Sequence, residues 1–323
     1  MADVARTAGV STATVSRALS DPTRVDPATR DRIMDAVTST GYRANAAARS
    51  LRVRRAGAIL VLAPNLANPF FNRIVVAVTQ VADAHGLAVQ LADSRAAPER
   101  LATLARDGRA DGIVLLDASL DPAVVRGWPL PVVQACEWNA AYAAPGLAID
   151  NHAAMGLVVD HLGGLGHRRI LHVAGPEGNV LASARTEGFV AACAARAVQG
   201  SLEAGDFTME SGARAARAWA ARPDRPTAVS CASDECAIGF IGECWGMGLA
   251  VPRDVSVAGF DDIEVSARLA PPLTTIHQPR ARLGAAAAER LIAMIGGADH
   301  APEWDVMPAH LVARGSTAAP PAS

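Results

Sequence analysis

The sequence predicts an α/β protein in which a small all-helical module precedes two lobes of parallel strands flanked by helices. A length of 323 residues leaves room for two or three folding units. Apolar residues follow helical spacing up to about residue 43, whereas short apolar runs alternate with amphipathic stretches from residue 57. Residues 1–55 hold ten arginines against five acidic residues, and the rest of the chain holds 20 against 27. The basic N-terminal end is therefore the candidate nucleic-acid contact.

Two short helices open the chain. Residues 3–8 are predicted to form the first, and Gly9 suits the left-handed turn that ends it. Ser11 is a good N-cap for the second, which is expected to run to about Leu19. Two short helices joined through a glycine turn are a helix-turn-helix pattern, which is typical of DNA-binding modules.

A third helix is predicted after Asp26, which can cap it, with Pro27 in its first position and Gly41 at its end. Apolar positions of the three helices are expected to face one another and form a small core. These positions are Val4, Ala8, Val10, Val15, Leu19, Ile33, Met34 and Val37.

The second helix carries the side chains that are expected to reach DNA. If it enters the major groove, base edges or phosphates come within reach of Thr12, Ala13, Ser16 and Arg17. The planar fork of Arg17 can bond guanine bidentately, and the methyl group of Ala13 can touch thymine. Phosphate contacts, which fix register without reading sequence, suit the hydroxyl groups of Ser11, Thr14, Ser16 and Thr29. Taken singly, each of these residues also fits a solvated helix face with no role in DNA binding.

Strands alternating with helices predict two α/β lobes in tandem. In the first lobe, buried parallel strands are expected at residues 58–63, 87–91, 112–116, 132–135 and 147–150, with helices from about Phe70 and Arg95. In the second, strands are expected at residues 169–174, 227–231 and 255–260, with helices from near Ser183, Met209 and Asp234. A last helix is expected at residues 279–295 and a strand near residues 306–311. Because ligands bind at the carboxyl ends of strands in such sheets, the cleft between the lobes is the expected pocket.

The sequence carries no motif that predicts a cofactor, a metal ion or a catalytic site, and no stretch that predicts a membrane span or signal peptide. A cytoplasmic protein is expected. Its cysteines lack zinc-like spacing and are expected to be buried free thiols: Cys136, Cys193, Cys231, Cys236 and Cys244. Two other function classes stay open, a solute receptor for transport and an enzyme that recruits His277, Asp261 and Ser266 as a triad.

A series of short motifs stands in order along the first 51 residues. They are Asp3-Val4-Ala5, Ala8-Gly9-Val10-Ser11, Thr14-Val15-Ser16-Arg17, Thr29-Arg30, Gly41-Tyr42-Arg43-Ala44-Asn45 and Ala48-Arg49-Ser50-Leu51. Together they resemble the DNA-binding headpiece of the LacI/GalR family of transcription regulators. The resemblance implies that Thr12, Ala13 and Arg17 read bases, and that Arg24 lies at the edge of the major-groove contact.

The resemblance also implies a hinge segment at residues 44–56 between a headpiece at residues 1–43 and the rest of the chain. Asn45, Ala48 and Leu51 would contact DNA there, with Leu51 as a wedge between base steps in the minor groove. Two features depart from the family pattern. Alanine replaces the usual proline at position 44, and only two residues precede Asp3, so either the first helix lacks a side-chain cap or the native start lies upstream.

The resemblance continues through the two lobes. The landmarks are Asn68-Pro69-Phe70-Phe71, Asp150-Asn151, Leu165-Gly166-His167-Arg168-Arg169-Ile170, Arg185-Thr186-Glu187-Gly188-Phe189, Val257-Ala258-Gly259-Phe260-Asp261-Asp262 and Pro271-Pro272-Leu273-Thr274-Thr275-Ile276. They imply the fold of periplasmic sugar-binding proteins over residues 57–317. The N-lobe would comprise residues 57–148 and 280–307, and the C-lobe residues 149–278, followed by a disordered tail at residues 318–323.

By the same resemblance, a small-molecule effector packs against Phe70 and Phe71, and the cleft is surrounded by Arg185, Phe207, Ser233, Asp261 and Gln278. An arginine and an aspartate can hold vicinal hydroxyl groups of a sugar or ribose, while an aromatic face stacks on its ring. Serine at position 233, where the family often has asparagine, and the run Cys136-Glu137-Trp138 are similar to the branch that contains a cytidine-responsive repressor. This implies a nucleoside effector with Glu137 near the pocket mouth, and a sugar is the alternative.

The chain ends in a short proline-containing run that is unlike the leucine heptads of a tetramerisation tail. A homodimer is therefore expected, and its two headpieces would read a pseudo-palindromic operator in double-stranded DNA. The expected function is a transcription regulator, a repressor, whose affinity for its operator depends on the effector.

Overall fold

The computed structural model describes residues 1–42 and 55–321, which form two compact units, Met1–Ala56 and Gly57–Ser323. Residues 43–54 lie outside the described residues. The predicted hinge helix and its DNA-contact candidates Asn45, Ala48 and Leu51 fall there.

The first unit contains three α-helices, α1 (Ala2–Ala8), α2 (Thr12–Ser20) and α3 (Pro27–Thr40), with a short 3₁₀ turn at Pro22–Arg24 between the last two. Gly9 ends α1 with a φ of 65°, as a left-handed turn requires. No side chain caps the start of α1. Ser11 caps α2 by accepting a hydrogen bond from the Thr14 N–H, and Asp26 caps α3 by accepting one from the Thr29 N–H. The helix-turn-helix prediction is confirmed.

The core of this unit is small but fully buried at its centre, where Val4, Val15 and Ile33 are 0% exposed. Met34 was expected in this core, and that prediction is wrong, since its side chain is 48% exposed. Successive residues of a helix differ by about 100° in direction, so the burial of Ile33 turns Met34 toward solvent.

The second unit begins with a six-stranded parallel sheet in the order β11-β5-β4-β3-β1-β2. Its strands are β1 (Ala58–Ala63), β2 (Ala88–Asp93), β3 (Gly112–Leu115), β4 (Val132–Ala135), β5 (Gly146–Ile149) and β11 (Trp304–Met307). Strands β1, β3, β4 and β5 are buried along their whole length. The flanking helices are α4 (Phe70–Ala84), α5 (Pro98–Leu104), α6 (Pro122–Arg126) and α11 (Arg280–Ile295). We call this sheet with its helices the N-lobe.

The C-lobe is a four-stranded parallel sheet in the order β7-β6-β8-β9. Its strands are β6 (Arg169–Val173), β7 (Gln199–Glu203), β8 (Ala228–Cys231) and β9 (Ser256–Ala258), and its helices are α7 (Asn151–Gly164), α8 (Val180–Ala195), α9 (Met209–Ala220) and α10 (Asp234–Gly246). Strands β10 (Thr275–His277) and β12 (His310–Val312) form a separate antiparallel pair. Thus the predicted α/β fold of parallel sheets flanked by helices is confirmed.

The expectation of a disordered tail from residue 318 is wrong at its first residue. The Ala318 N–H donates to Ser256 Oγ, and the Ala318 carbonyl accepts hydrogen bonds at 3.0 Å or less from Ser256 and the ring of His167. These polar groups at the base of the C-lobe need partners because His167 and Ser256 are buried. All five cysteines are buried free thiols, as predicted. In the part of the chain that is described, no helix is long and apolar enough to cross a membrane.

Candidate DNA-contact face and interlobe cavity

The two sides of helix α2 differ sharply. Val15 and Ala18 are buried in the core of the first unit, whereas Ser11, Thr12, Ala13 and Arg17 are exposed and Thr14 and Ser16 are half-buried. The exposed side is a continuous face of short side chains with one arginine, which suits insertion into the major groove of DNA.

Several of the residues predicted to contact DNA also form hydrogen bonds or an ion pair within the first unit. Ser11 Oγ lies 2.8 Å from Thr14 Oγ1 and accepts from the Thr14 N–H, so both hydroxyl groups shape the start of α2. Arg24 forms an ion pair with Asp21, at 2.9 Å. Thr29 is half-buried at the start of α3, where its N–H is bound by Asp26.

A cavity of about 280 Å³ lies between the N-lobe and the C-lobe. Its walls come largely from residues that follow strands, because the carboxyl ends of both parallel sheets face it. Residues Pro64 and Asn65 follow β1, Asp117 follows β3, Cys136 and Glu137 follow β4, Pro176 follows β6, Ser233 follows β8 and Asp261 follows β9. Of the eight predicted effector residues, seven line this interlobe cavity: Phe70, Phe71, Glu137, Arg185, Phe207, Ser233 and Asp261.

Arg185 of α8 is the central cation of the cavity wall. Its Nε donates to Asn151 Oδ1 at 2.9 Å and its Nη1 donates to the Ala232 carbonyl at 2.6 Å, while Nη2 lies 3.8 Å from Asp261 Oδ1. The guanidinium lies 3.8 Å from the ring centroid of Phe260, a cation–π distance. Burial lowers the pKa of Arg185, and the nearby Asp261 carboxylate opposes this effect. The guanidinium is therefore held rigidly in one orientation.

Asp261 faces Arg185 at the end of β9. Burial raises its pKa to about 6, although Arg185 and Arg280 favour the ionised form. Gln278 donates to Asp261 Oδ1 at 2.7 Å. Gln278 is 2% exposed and does not line the cavity, so it positions the aspartate from behind.

Backbone strain is concentrated at the cavity wall. Cys136, Phe207 and Asp261 have φ values of 71°, 70° and 120°. Residues other than glycine rarely adopt this backbone region. Such strain costs about 1–3 kcal/mol per residue and occurs preferentially at functional sites. The surrounding packing therefore holds these three residues in place at a cost in stability.

The hydroxyl group of Ser233 makes two hydrogen bonds within the protein. The hydroxyl donates to the Phe207 carbonyl at 2.8 Å and accepts from the Cys236 N–H as the N-cap of α10. Ser233 thereby fixes the backbone of Phe207, in the loop that carries this aromatic residue of the wall.

Glu137 connects the two lobes. Its carboxylate accepts hydrogen bonds from the Ala118 N–H in the N-lobe and from the Asn179 side-chain amide in the C-lobe, both at 2.9 Å. Glu137 is only 7% exposed, and burial raises its pKa. Glu137 was expected near the pocket mouth, but it lies in the buried wall of the cavity. The Ala118 N–H and the Asn179 amide hold its two carboxylate oxygens there.

Phe70 and Phe71 begin helix α4 and form the aromatic part of the N-lobe wall. Their rings meet edge to face with centroids 5.2 Å apart. The guanidinium of Arg280 lies 5.8 Å from the Phe70 ring, on the side of α11. Phe207, from the C-lobe, is a third aromatic residue of the cavity lining.

Sequence reasoning missed several polar wall residues, among them Asp117, Asn179, Arg95 and Glu235. Asp117 stands directly after a predicted strand, so the rule that ligands meet strand ends could have found it. Asn179 caps α8 by accepting from the Leu181 and Ala182 N–H groups. The short loop between β6 and α8 gave no signal that distinguished this asparagine.

The triad considered as an alternative does not assemble. Ser266 donates to Asp234, and His277 pairs with Asp262 at 2.8 Å, whereas Asp261 is held by Gln278. Within residues 1–42 and 55–321, no three His, Cys, Asp or Glu side chains are grouped so as to hold a metal ion.

Both units match families of known proteins. The profile of the lacI family of bacterial regulatory proteins matches residues 1–45, and that of a periplasmic binding protein-like domain matches residues 159–317. The transcriptional repressor CytR of Escherichia coli K12 is 37% identical over 333 residues, which cover 99% of this chain and 97% of CytR. The structure of a lac repressor dimer bound to operator and the anti-inducer ONPF is 29% identical with a TM-score of 0.87, covering 98% of each chain. A complex of the transcriptional regulator CelR with cellobiose is 31% identical with a TM-score of 0.75, covering 97% of this chain and 98% of CelR.

Proposed function

Because the chain belongs to the LacI family of bacterial regulatory proteins, we propose that it is a repressor that binds a pseudo-palindromic operator as a homodimer and responds to a small molecule in the interlobe cavity. The observation that carries this proposal is the presence of both parts in one chain. An exposed α2 face fits DNA, and a cavity built around Arg185 and Asp261 fits a polar ligand.

The headpiece and the hinge segment would supply the DNA contacts. Arg17 would read a guanine, Thr12 and Ala13 would complete the base contacts, and the hydroxyl groups of α2 would position the phosphates. Arg24 and Thr29 would flank this contact. Asn45, Ala48 and Leu51 would contact the minor groove from the hinge segment.

The effector would be a sugar or a nucleoside. Asp261 can accept hydrogen bonds from hydroxyl groups, and the aromatic groups of both lobes can stack on a ring. The lining includes both Glu137 and Ser233, the residues that favour the nucleoside. Among the relatives, CelR was solved with the sugar cellobiose, which supports the alternative of a sugar.

The effector would control DNA binding by changing the arrangement of the two lobes. A ligand that contacts both lobes binds one lobe arrangement more tightly than another, and this difference is what can change operator affinity. The hydrogen bond between Glu137 and Asn179 spans the two lobes at the cavity and would respond directly to such a change. We propose no catalytic role, and such a regulator would act in the cytoplasm, where bacterial DNA lies.

A thermal-shift screen tests the effector class. Purified protein is mixed with cytidine, uridine, adenosine, ribose, glucose and cellobiose, because a ligand at 100 times its Kd adds about 2.7 kcal/mol of stability. Stabilisation by a nucleoside or a sugar supports the proposal. A protein that none of these compounds stabilises, or that converts one of them into a product, contradicts it.

A further inference from the structure

The interlobe cavity carries more acidic than basic groups. Five carboxylates line it, against two arginines. The acids are Asp117, Glu137, Asp206, Glu235 and Asp261, and the arginines are Arg95 and Arg185. Asp206 pairs with Arg214, outside the lining, at 3.5 Å, which leaves four carboxylates against two arginines. A negatively charged ligand would therefore enter a site with an excess of its own sign of charge.

Both arginines already have acidic partners in this chain. Three nitrogens of Arg185 are directed at Asn151, the Ala232 carbonyl and Asp261. Arg95 is exposed at the rim and its guanidinium pairs with Asp93, with Nη2 3.2 Å from Oδ2. Each arginine of the described wall thus already has acceptors in this chain, with which a phosphate would have to compete.

Side-chain oxygens of this chain also bind N–H groups at the helix N-termini around the cavity. Helices α4, α8 and α10 begin at its wall, and free N–H groups there would attract an anion. Instead, Asn68 Oδ1 accepts from the Phe70 N–H, Asn179 Oδ1 accepts from two N–H groups of α8, and Ser233 Oγ accepts from the Cys236 N–H. At each helix start, at least one N–H group is thus already bound by a side-chain oxygen of this chain.

Some carboxylate oxygens of the cavity wall, in contrast, have no hydrogen-bond donor among the residues that the structure describes. Asp261 Oδ1 is held by Gln278, but its Oδ2 meets no hydrogen-bond donor among the residues that the structure describes. The carboxylate of Glu235, half-buried in the first turn of α10, also lacks a donor within the described chain. These oxygens suit hydroxyl or amino groups of a ligand.

Building on the proposed effector role of the cavity, we propose that it selects uncharged ligands rich in hydrogen-bond donors and rejects their phosphorylated forms. A free nucleoside or sugar binds, and the corresponding nucleotide or sugar phosphate does not. A phosphate adds a charge of about −1.5 to −2 at neutral pH, and the arginines and helix starts of the wall already have partners in this chain. The regulator would then report the unphosphorylated pool of its effector.

Matched pairs of compounds test this selectivity by calorimetric titration of the full-length protein. The pairs are cytidine with cytidine 5′-monophosphate and ribose with ribose 5-phosphate. We expect the uncharged member of the pair that binds to have a Kd lower by on the order of 100-fold. A phosphorylated member that binds as tightly or more tightly overturns the selectivity and leaves the effector role standing. If neither pair binds, the same comparison is made with the compound that stabilises the protein in the thermal-shift screen and its phosphate ester; a screen in which no compound stabilises the protein overturns both.

A charge-neutralising variant separates electrostatic exclusion from simple lack of space. Glu235→Gln keeps the size of the side chain but removes one negative charge, so the affinity for the phosphorylated compound should rise several-fold more than that for the uncharged one. Glu243→Gln is the matched control, because Glu243 lies on the same helix but pairs with Arg217 away from the cavity. An unchanged ratio of affinities in Glu235→Gln overturns the charge argument.

Discussion

Arg185 and Asp261 illustrate how a polar site is kept inside a protein. A buried charge is costly unless it is paired and hydrogen-bonded. Arg185 meets both conditions through Asn151, the Ala232 carbonyl and Asp261, and it gains a further contact with the Phe260 ring. Asp261 is less well compensated, which is why burial raises its pKa to about 6.

The raised pKa of Asp261 predicts how effector affinity depends on pH. A ligand hydroxyl group donates more strongly to the ionised carboxylate, so binding favours the deprotonated form. Affinity should therefore be highest above pH 7 and should fall as the pH is lowered through about 6. Titration calorimetry between pH 5 and pH 8 measures this, and Asp261→Asn should remove most of the dependence. An affinity that rises toward pH 5 would show that the ligand prefers the protonated acid.

Arg17 carries the second prediction for a single residue. Arg17→Ala should cost about 1–3 kcal/mol on the selected operator and much less on unrelated duplex DNA, because only the operator offers the guanine edge. Fluorescence anisotropy at one fixed salt concentration measures both. Arg32→Ala is the control, an exposed arginine of α3 rather than α2. Equal losses on the two DNAs would reduce Arg17 to a phosphate contact.

The residue types of the site were predictable, but their detailed roles were not. Phe70, Arg185 and Asp261 could be placed by the family resemblance, and all three line the cavity. The hydrogen bond from Ser233 to the Phe207 carbonyl depends on two loops that are distant in sequence, so no local pattern indicates it. The same holds for Gln278, which faces Asp261 rather than the cavity.

At the scale of elements, helix caps were the most reliable signal in the headpiece. Ser11, Asp26 and Gly41 each stand where they were expected, because capping depends on residues only a few positions apart. The strongly apolar strands β1 and β4 also begin and end at the predicted residues.

Two elements of the C-lobe were missed for physical reasons. Strand β7 is an edge strand, Gln199-Gly-Ser-Leu-Glu, whose polar and partly exposed side chains give no apolar run. Helix α7 buries one face, but its exposed side also carries the apolar residues Ala153 and Leu157, and it contains Gly156, Gly163 and Gly164, so its sequence shows no clear apolar stripe. Tertiary packing specifies both elements.

The cap of α2 gives a prediction at this scale. Ser11→Ala removes the acceptor of the Thr14 N–H and should destabilise the headpiece by about 1 kcal/mol, while Ser11→Asp should restore most of the loss. Denaturant unfolding monitored by headpiece-specific probes measures the change. Thr7→Ala, at an exposed position in α1, serves as the control. A Ser11→Ala variant as stable as the wild type would mean that another group caps the helix.

At the scale of the whole molecule, the resemblance to the LacI family is confirmed, and it extends over nearly the whole chain. The change in sequence pattern predicted that the two-lobed domain begins at about residue 57, and the structure divides the chain into compact units after Ala56. The fold could be read from the sequence because each lobe repeats a simple alternation of strand and helix. What the effector is depends instead on a few oxygen atoms in the cavity wall.

Control of DNA binding by the cavity is tested most directly by an operator titration with and without the effector found by the thermal-shift screen, using a DNA site selected from a random pool. In the wild-type protein, we expect the effector to change operator affinity. In Asp261→Ala, we expect operator binding without effector to match the wild type and the response to effector to be lost. A folded Asp261→Ala protein that responds like the wild type, or an operator affinity that no bound effector changes, would contradict the claim that this cavity controls DNA binding.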